Sequence, residues 1–449
     1  MESSEKNYLI NKIDMKIQQF EDKGLAHYSY AVLSGSAIAL IDPSRDITPY
    51  LAYAKEHEAR IVTVIETHPH ADFVSGHLEL FKTTGATVYC SALQEASYPH
   101  LPFDEGYAIV VGEIKLKALN TPGHSPDSIC IVLEEHGKDK AVFTGDTLFI
   151  GDCGRPDLRE NTGKVSAKRE DLARQMYHSL RDKLMMLDDD VMVYPAHGAG
   201  TLCGKALSEA ASSSIGEESM NNWSLQPMSE EDFVRELISE QPFVPAYFPY
   251  NVSVNKQGAE NLDTALSKVV RGIPDDENIV LIDTRSAAAF KEAHLPGAIN
   301  LQDGGKFETW LGSVVAPGEP FYLLAENEAV IRKTAKIGYE VFIKKVFTAN
   351  EGKVAMATLD PDVFKADMGK YTIVDVRNPA EVREHPIFNN AINIPLYELR
   401  EKAVTIPTDK PVVIHCAGGY RSAAGSSIVD AVLNGKTAVY DLGEAINAF

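Results

Sequence analysis

The stretch that most constrains this chain is residues 61–77, IVTVIETHPHADFVSGH. Its opening run of β-branched apolar residues, 61–65, predicts a buried strand. The turn that follows places His68, His70 and Asp72 at alternating positions. In extended chain alternate side chains share one face, and two imidazoles with a carboxylate at the mouth of a strand form a ligand set for a divalent transition metal. A polar loop capping a strand is the plainer reading of the same residues. Against it stands the return of His and Asp in similar strand-to-loop contexts downstream.

Residues 30–41, YAVLSGSAIALI, predict a hairpin turning at Gly35 and closing in Asp42-Pro43. A helix is expected over about 46–58, with Pro49 in its first turn, and another near 77–84. Short strands are expected around 86–89, 114–119, 129–133 and 141–143. TPGHSPDS (121–128) carries His124 in a Pro/Gly turn, FTGDTLFIGDCGRPDL (143–158) places Asp146 at a strand end, and VMVYPAHGAG (191–200) puts His197 after a strand ending at Tyr194. Four strand ends, each followed by a histidine or an aspartate, make sense if their loops lie on one rim and ring a metal.

THPHAD, TPGHSP, TGD and YPAHG, in this order, resemble the metallo-β-lactamase superfamily, which implies an αββα sandwich with metal at one edge. The family pattern of the first motif is HxHxDH, and here its last place holds Phe73. In the superfamily's binuclear hydrolases the second metal is held by residues whose places are taken here by Asp72, Phe73, His197 and a bridging Asp146. A phenyl ring for an imidazole removes a ligand and sets an apolar wall beside that site, which favours a single metal. The mononuclear members that this resembles are persulfide dioxygenases. That resemblance implies Fe(II), one per chain, on His68, His124 and Asp146, a facial triad with positions open to a substrate sulfur and dioxygen. His70, Asp72 and His197 would then surround it and orient ligands or water; whether His70 touches the metal stays open. GDCGRPDL resembles the CGRxD segment of that subgroup and makes Arg155 a candidate for holding an anionic group of the substrate, a salt bridge to Asp152 or Asp157 being the alternative. Cys153 and Cys203 fall in loops that the family places near the metal mouth, as accessory thiols or as inert small residues.

Beyond Cys203 the chain turns Ser- and Ala-rich, then polar. Ser229 opens an amphipathic helix expected to run to about 240, and 241–258 reads as a packed connector and a wall of the substrate mouth, with a domain boundary near 255. Then NIVLIDTRSAAAFKEAHLPGAINL (278–301) is echoed by YTIVDVRNPAEVREHPIFNNAINIPL (371–396). Each predicts a strand ending in Asp-x-Arg, a helix, and a short strand containing Ala-Ile-Asn, hence an α/β domain with a parallel sheet. The expected division is 1–255, 256–352 and 353–449.

Chemistry shows only in the second copy. PVVIHCAGGYRSAAGSSIVDAVL (411–433) predicts a buried strand, then Cys416 beneath the N-terminus of a helix beginning at about 422. Loop N–H groups and the positive end of the helix dipole favour a thiolate there. Gly418 and Gly419 let the loop curl around the sulfur, and Arg421 adds a fixed positive charge. The loop resembles the rhodanese active site, one residue shorter than the phosphate cradle of cysteine phosphatases, which implies sulfur transfer. The first copy, FYLLAENEAVIRKT (321–334), has no cysteine and reads as a degenerate rhodanese-like domain that spaces the active modules or builds an oligomer interface.

Charge and composition bear on partners. A formal net charge of -21 with no Lys/Arg cluster excludes nucleic acid and acidic membranes as expected partners. No run of 18 apolar residues occurs and the first 16 residues lack a signal-type apolar segment, so a cytoplasmic protein is expected. Five cysteines, unevenly spread, predict reduced thiols. As a whole the chain resembles bacterial fusions of a persulfide dioxygenase with rhodanese domains. The resemblance implies oxidation of a small-molecule persulfide (glutathione, coenzyme A or a similar thiol) by O2 to sulfite, sulfur exchange at Cys416 giving thiosulfate, and a homo-oligomer (dimer or tetramer). Two other expectations stand beside it: a binuclear zinc thioester hydrolase of the glyoxalase II type with an attached sulfurtransferase, and a relay module whose metal is structural.

Overall fold

The computed structural model describes residues 15–159, 168–205, 207–348, 352 and 354–449. The first 14 residues of the charged N-terminal segment therefore lie outside it, as do neighbours of the boundary expected at 352/353.

The first half stacks two six-stranded sheets. One runs Lys16–Asp22, His27–Ser34, Ala37–Ile41, Arg60–Ile65, Thr87–Cys90, Leu101–Pro102. Its hairpin turns at Gly35 as expected, with Leu33 opposite Ile38. From Ala37–Ile41 onward pairing is parallel, which requires crossovers, supplied by the helices Thr48–Glu56 and His77–Thr84. The other sheet orders Ala108–Val111, Ile114–Asn120, Ile129–Glu135, Lys138–Gly145, Met192–Pro195, Ser213–Ser214. It is antiparallel except where Lys138–Gly145 pairs with Met192–Pro195. The helix Arg169–Asp182, which no sequence motif marked, lies within that crossover. Tyr30, Val32, Ile65, Leu116, Ile131 and Phe143 fill the space between the sheets. Separate apolar clusters sit under the helices on the two outer faces. The layers are thus αββα, and the ends of Arg60–Ile65, Ile114–Asn120, Lys138–Gly145 and Met192–Pro195 deliver their loops to one rim.

The stretch read as a connector contains a helix, Phe248–Gln257, so the boundary expected near 255 falls inside an element. Phe248 and Val252 are buried, and Asn255 donates to the carbonyls of His70 (2.8 Å) and Phe73 (2.7 Å) and accepts from the Ser75 amide (2.8 Å). The helix thus braces the metal loop through Asn255, while Phe248 and Val252 join an apolar cluster with Trp310 and Tyr339 of the next domain.

Two four-stranded, all-parallel sheets follow, with flanking helices. In the first, Val280–Asp283 lies between Ile299–Asn300 and Phe321–Leu324; in the second, Thr372–Asp375 lies between Ile392–Asn393 and Val412–His415. The two copies share one internal brace. Arg285 grips Asp283 and Arg377 grips Asp375. Asn300 donates to the carbonyls of Asp283 and Arg285, as Asn393 does to those of Asp375 and Arg377. Asp283 pairs with Leu324 and Asp375 with His415, so Ala325 occupies in the first copy the place of Cys416 in the second. The helix after Cys416 is Tyr420–Leu433, beginning two residues before the expected start. Among the described residues no helix is long and apolar enough to cross a membrane.

Candidate metal centre and cysteine loop

Three imidazoles converge on Asp146, and each is held from behind. His124 Nδ1 lies 2.9 Å from the Arg155 carbonyl and His197 Nδ1 3.2 Å from that of Ala26. A carbonyl can only accept, so both rings carry their proton on Nδ1 and turn the Nε2 lone pair inward. His68 Nδ1 is 3.0 Å from Thr67 Oγ1, whose own proton goes to Asp42 Oδ2 at 2.8 Å, which fixes the same tautomer. Inward, Nε2 of His124 and of His68 lie 3.4 and 3.8 Å from Asp146 Oδ2, and His197 Nε2 lies 3.5 Å from Oδ1. Burial lowers the pKa of His68 and of His124, so both are neutral, the form in which imidazole binds metal. Among the described residues, neither Asp146 oxygen has a hydrogen-bond partner, nor has His197 Nε2 or Asp72 Oδ2. Buried polar atoms without partners are costly, and here they face one another. The donor set fits a divalent cation, with His68, His124 and Asp146 within 4.8 Å of each other.

Backbone packing builds this rim. Gly154 passes so close to Asp146 that a Cβ there would lie 1.9 Å from the Asp146 carbonyl oxygen and 3.0 Å from His124 Nδ1. The glycine of GDCGRPD is therefore sterically required.

His70 faces the other way. Its Nε2 is 3.1 Å from Asp42 Oδ1 and 3.9 Å from Glu66 Oε2. Burial alone would lower its pKa, but Asp42 overrides that and raises it to about 9. His70 also shares a group with Asp72 and His197, all within 4.8 Å. Phe73 is buried with its ring 3.9 Å from that of His27 and 4.3 Å from that of His70. It fills the space between two imidazoles. His27, Asp42, Glu66 and Thr67 were not singled out in the sequence, where they read as ordinary strand and turn residues; the one signal was the Asp42-Pro43 turn.

Of the two readings for Arg155, the geometry matches the salt bridge to Asp157. Its side chain is 1% exposed and forms a two-pronged pair with Asp157 at 2.7 Å on both prongs. It also donates to the carbonyls of Leu202 and Phe243. All its nitrogens are committed internally, so it braces loops while its carbonyl orients His124. The two accessory cysteines part company. Cys153 lies in the apolar cluster under the outer helices, where burial raises its pKa, so it is not at the metal mouth. Cys203 joins Asp146 and His197 within 4.8 Å.

At the second centre Cys416 directly follows the strand Val412–His415, and the Gly419 amide donates to its sulfur at 3.1 Å. Gly419 has φ +96°, which glycine alone adopts without strain. A Cβ on Gly418 would meet nothing within 4 Å, so that side of the loop is open. Arg421 pairs with Glu381 through two contacts of 2.6 and 2.8 Å and lies 5.8 Å from the centre of the Trp310 ring. Cys416, Gly418 and Arg421 all line one cavity of about 420 Å³.

Residues 22–197 match the family model of the metallo-beta-lactamase superfamily. Residues 267–336 and 360–449 match that of the rhodanese-like domain. Human "Persulfide dioxygenase ETHE1, mitochondrial" is 33% identical over 160 residues, 35% of this chain and 58% of that protein. A hydroxyacylglutathione hydrolase of Francisella philomiragia is 31% identical over 180 residues, 40% of this chain and 65% of that one. The chain thus spans 58 to 65% of the length of these curated relatives. The solved structure of a metallo-beta-lactamase from Staphylococcus aureus superposes with TM-score 0.69 at 31% identity, over 75% of this chain and 99% of that one.

Proposed function

The chain belongs to the metallo-β-lactamase superfamily and carries rhodanese-like domains in its second half, and from that premise we propose that it is a mononuclear iron persulfide dioxygenase coupled to a sulfurtransferase. The observation that carries this reading is Phe73. The relatives include both a persulfide dioxygenase and a hydroxyacylglutathione hydrolase at similar identity, so they do not choose between the two readings. A phenyl ring wedged between His27 and His70 takes the place where a binuclear site needs a ligand.

His68, His124 and Asp146 would hold one Fe(II), which would supply the redox chemistry that joins a persulfide sulfur to dioxygen. The protein's part is to keep the imidazoles neutral and aimed, through Thr67, Asp42 and the carbonyls of Arg155 and Ala26, and to keep water out by burial. Cys203 adds a thiol facing the same pocket. The substrate is the persulfide of a small thiol such as glutathione or coenzyme A, in the cytoplasm. At Cys416 a thiolate takes the outer sulfur of a persulfide and passes it to sulfite, giving thiosulfate. The Gly419 amide stabilises the sulfur anion, and Arg421, held by Glu381, attracts the incoming one.

One observation favours the binuclear zinc hydrolase as a second reading: His70, Asp72 and His197 still gather within 4.8 Å. Metal analysis of protein purified without oxygen separates the two. One iron per chain, with oxygen uptake on adding glutathione persulfide or coenzyme A persulfide, is the expected result; two zincs per chain would overturn it. Metal without any oxygen uptake would point instead to the relay module.

A further inference from the structure

The cavity in front of Cys416 is not confined to its own domain. Its walls are Cys416 and Arg421 from the active repeat, Trp310 and Lys306 from the silent one, and Gly200 and Leu202 from the metal-loop domain. A second cavity, of about 10 Å³, shares Gly200, Leu202, Lys306 and Thr309 with the first and reaches Asp72. That is room for about one water. Asp72 Oδ2 is 3.4 Å from His197 Nε2, which is 3.5 Å from Asp146. The two cavities thus share a wall between Cys416 and Asp72, and at that wall Lys306 donates to the Gly200 carbonyl at 2.6 Å.

The silent repeat holds this wall from both sides. Toward the metal-loop domain, Lys336 pairs with Asp22 at 2.7 Å and its carbonyl accepts from the Val74 amide at 2.7 Å. Toward the active repeat, the Gln302 carbonyl accepts from Tyr420 at 2.8 Å and the Asn300 amide donates to Ser427 at 3.0 Å. Along the path, Lys306 and Arg421 are the cationic side chains lining the two cavities, and Asp72 stands at the metal end. An ammonium on a flexible stem has three donors and can exchange a carbonyl for an anion. An arginine pinned by Glu381 suits the receiving end.

We infer that the silent repeat builds an internal passage for an oxyanion between the two centres, with Lys306 as its gate. The inference rests on the proposed dioxygenase activity and names what crosses: sulfite. The balance is RSSH + O2 + H2O → RSH + SO3²⁻ + 2 H⁺, with four electrons passing to O2. A second persulfide charges the loop, Cys416–S⁻ + RS–SH → Cys416–S–S⁻ + RSH, the proton passing to the leaving thiolate. Sulfite then attacks the outer sulfur, Cys416–S–S⁻ + SO3²⁻ → Cys416–S⁻ + S2O3²⁻, breaking one S–S bond as another forms. The sulfite dianion is repelled by Asp72 as it leaves and meets Lys306 first.

The test is isotope dilution with the intact, iron-loaded chain. Glutathione persulfide labelled with ³⁴S in its outer sulfur is turned over in a large excess of unlabelled sulfite, and the sulfonate sulfur of thiosulfate is read by mass spectrometry. Internal transfer keeps that position mostly labelled, whereas free diffusion dilutes it to the ratio of the pool. Lys306→Ala should fall to the pool ratio with labelled sulfite in the medium, and Lys306→Arg should restore most of the retention. A variant that is merely slower leaves this ratio unmoved. Wild-type protein already at the pool ratio, or Lys306→Ala retaining label as wild type does, would overturn the passage. Failure of the underlying dioxygenase reading looks different: no oxygen uptake and no labelled sulfite. A metal-free measurement stands beside it. Titration calorimetry of the metal-free protein with sulfite should show at least fivefold weaker binding for Lys306→Ala, and unchanged affinity counts against the gate.

Discussion

At the metal centre a residue's role is decided by the atom it turns away from the site. His68 is aimed by Thr67, and Thr67 by Asp42, so Thr67→Val should weaken metal binding by about 10- to 100-fold without touching a ligand, as read by competition with a chelator. Phe73→His should raise metal content from one toward two per chain, while Phe73→Leu keeps it at one. Near the other centre His415 is fully buried, and although Asp375 lies 3.6 Å away, burial lowers its pKa to about 4. The unfolded chain takes up this proton below pH 6.5, but the folded one does not until about pH 4. Stability should therefore drop as pH falls from 6.5 through 4, by up to about 3 kcal/mol from this group. His415→Asn should flatten that part of the pH profile of denaturant midpoints. His68, His124, Asp146 and Cys416 were legible in the sequence because their chemistry is written in short motifs. For Arg155 and Cys153 the sequence left two readings open, because a loop position does not say which way a side chain points; Arg155 takes the salt bridge to Asp157 and Cys153 sits in an apolar cluster. His27 carries no local signal at all; it meets His197 through an isolated bridge and a ring contact at 5.6 Å.

Among the elements, the helix Phe248–Gln257 shows how a metal loop is set from outside. Asn255 satisfies two carbonyls and one amide of the segment 70–75. Asn255→Ala should leave them unpaired in the interior, costing about 2–3 kcal/mol and loosening the loop. The checks are the urea midpoint and the metal dissociation rate. This helix was hidden in the sequence because FPYNVSVNKQ is poor in strong helix formers; it exists because Phe248 and Val252 find a core. The two repeats were legible because strand, Asp-x-Arg, helix and Ala-Ile-Asn are local patterns. The motifs did not show that the helix after Cys416 starts at Tyr420, since that depends on Gly419 adopting a positive φ.

For the whole molecule, one apolar cluster runs from Leu25 and Phe73 through Phe248, Trp310 and Tyr339 to Cys416 and Val439. It passes through all three domains. Parts that share a core lose it together, so differential calorimetry of the metal-free chain should show one main transition rather than three. Arg400→Ala, which breaks a two-pronged pair with Glu319 across the repeats at 2.8 Å, should lower that transition as a unit; a separate early melt would contradict the shared core. None of this was legible in the motifs, because contacts such as Lys306 to Gly200 or Tyr420 to Gln302 join residues over a hundred positions apart.

The brace of aspartate, arginine and asparagine is built alike beneath both sheets, although only one still has a thiol above it. The silent half is thus a finished socket with its plug removed. Transplanting residues 416–421 onto the strand end at Ala325 would ask nothing new of the strands below, and a chain so refitted would offer two sulfur carriers in series.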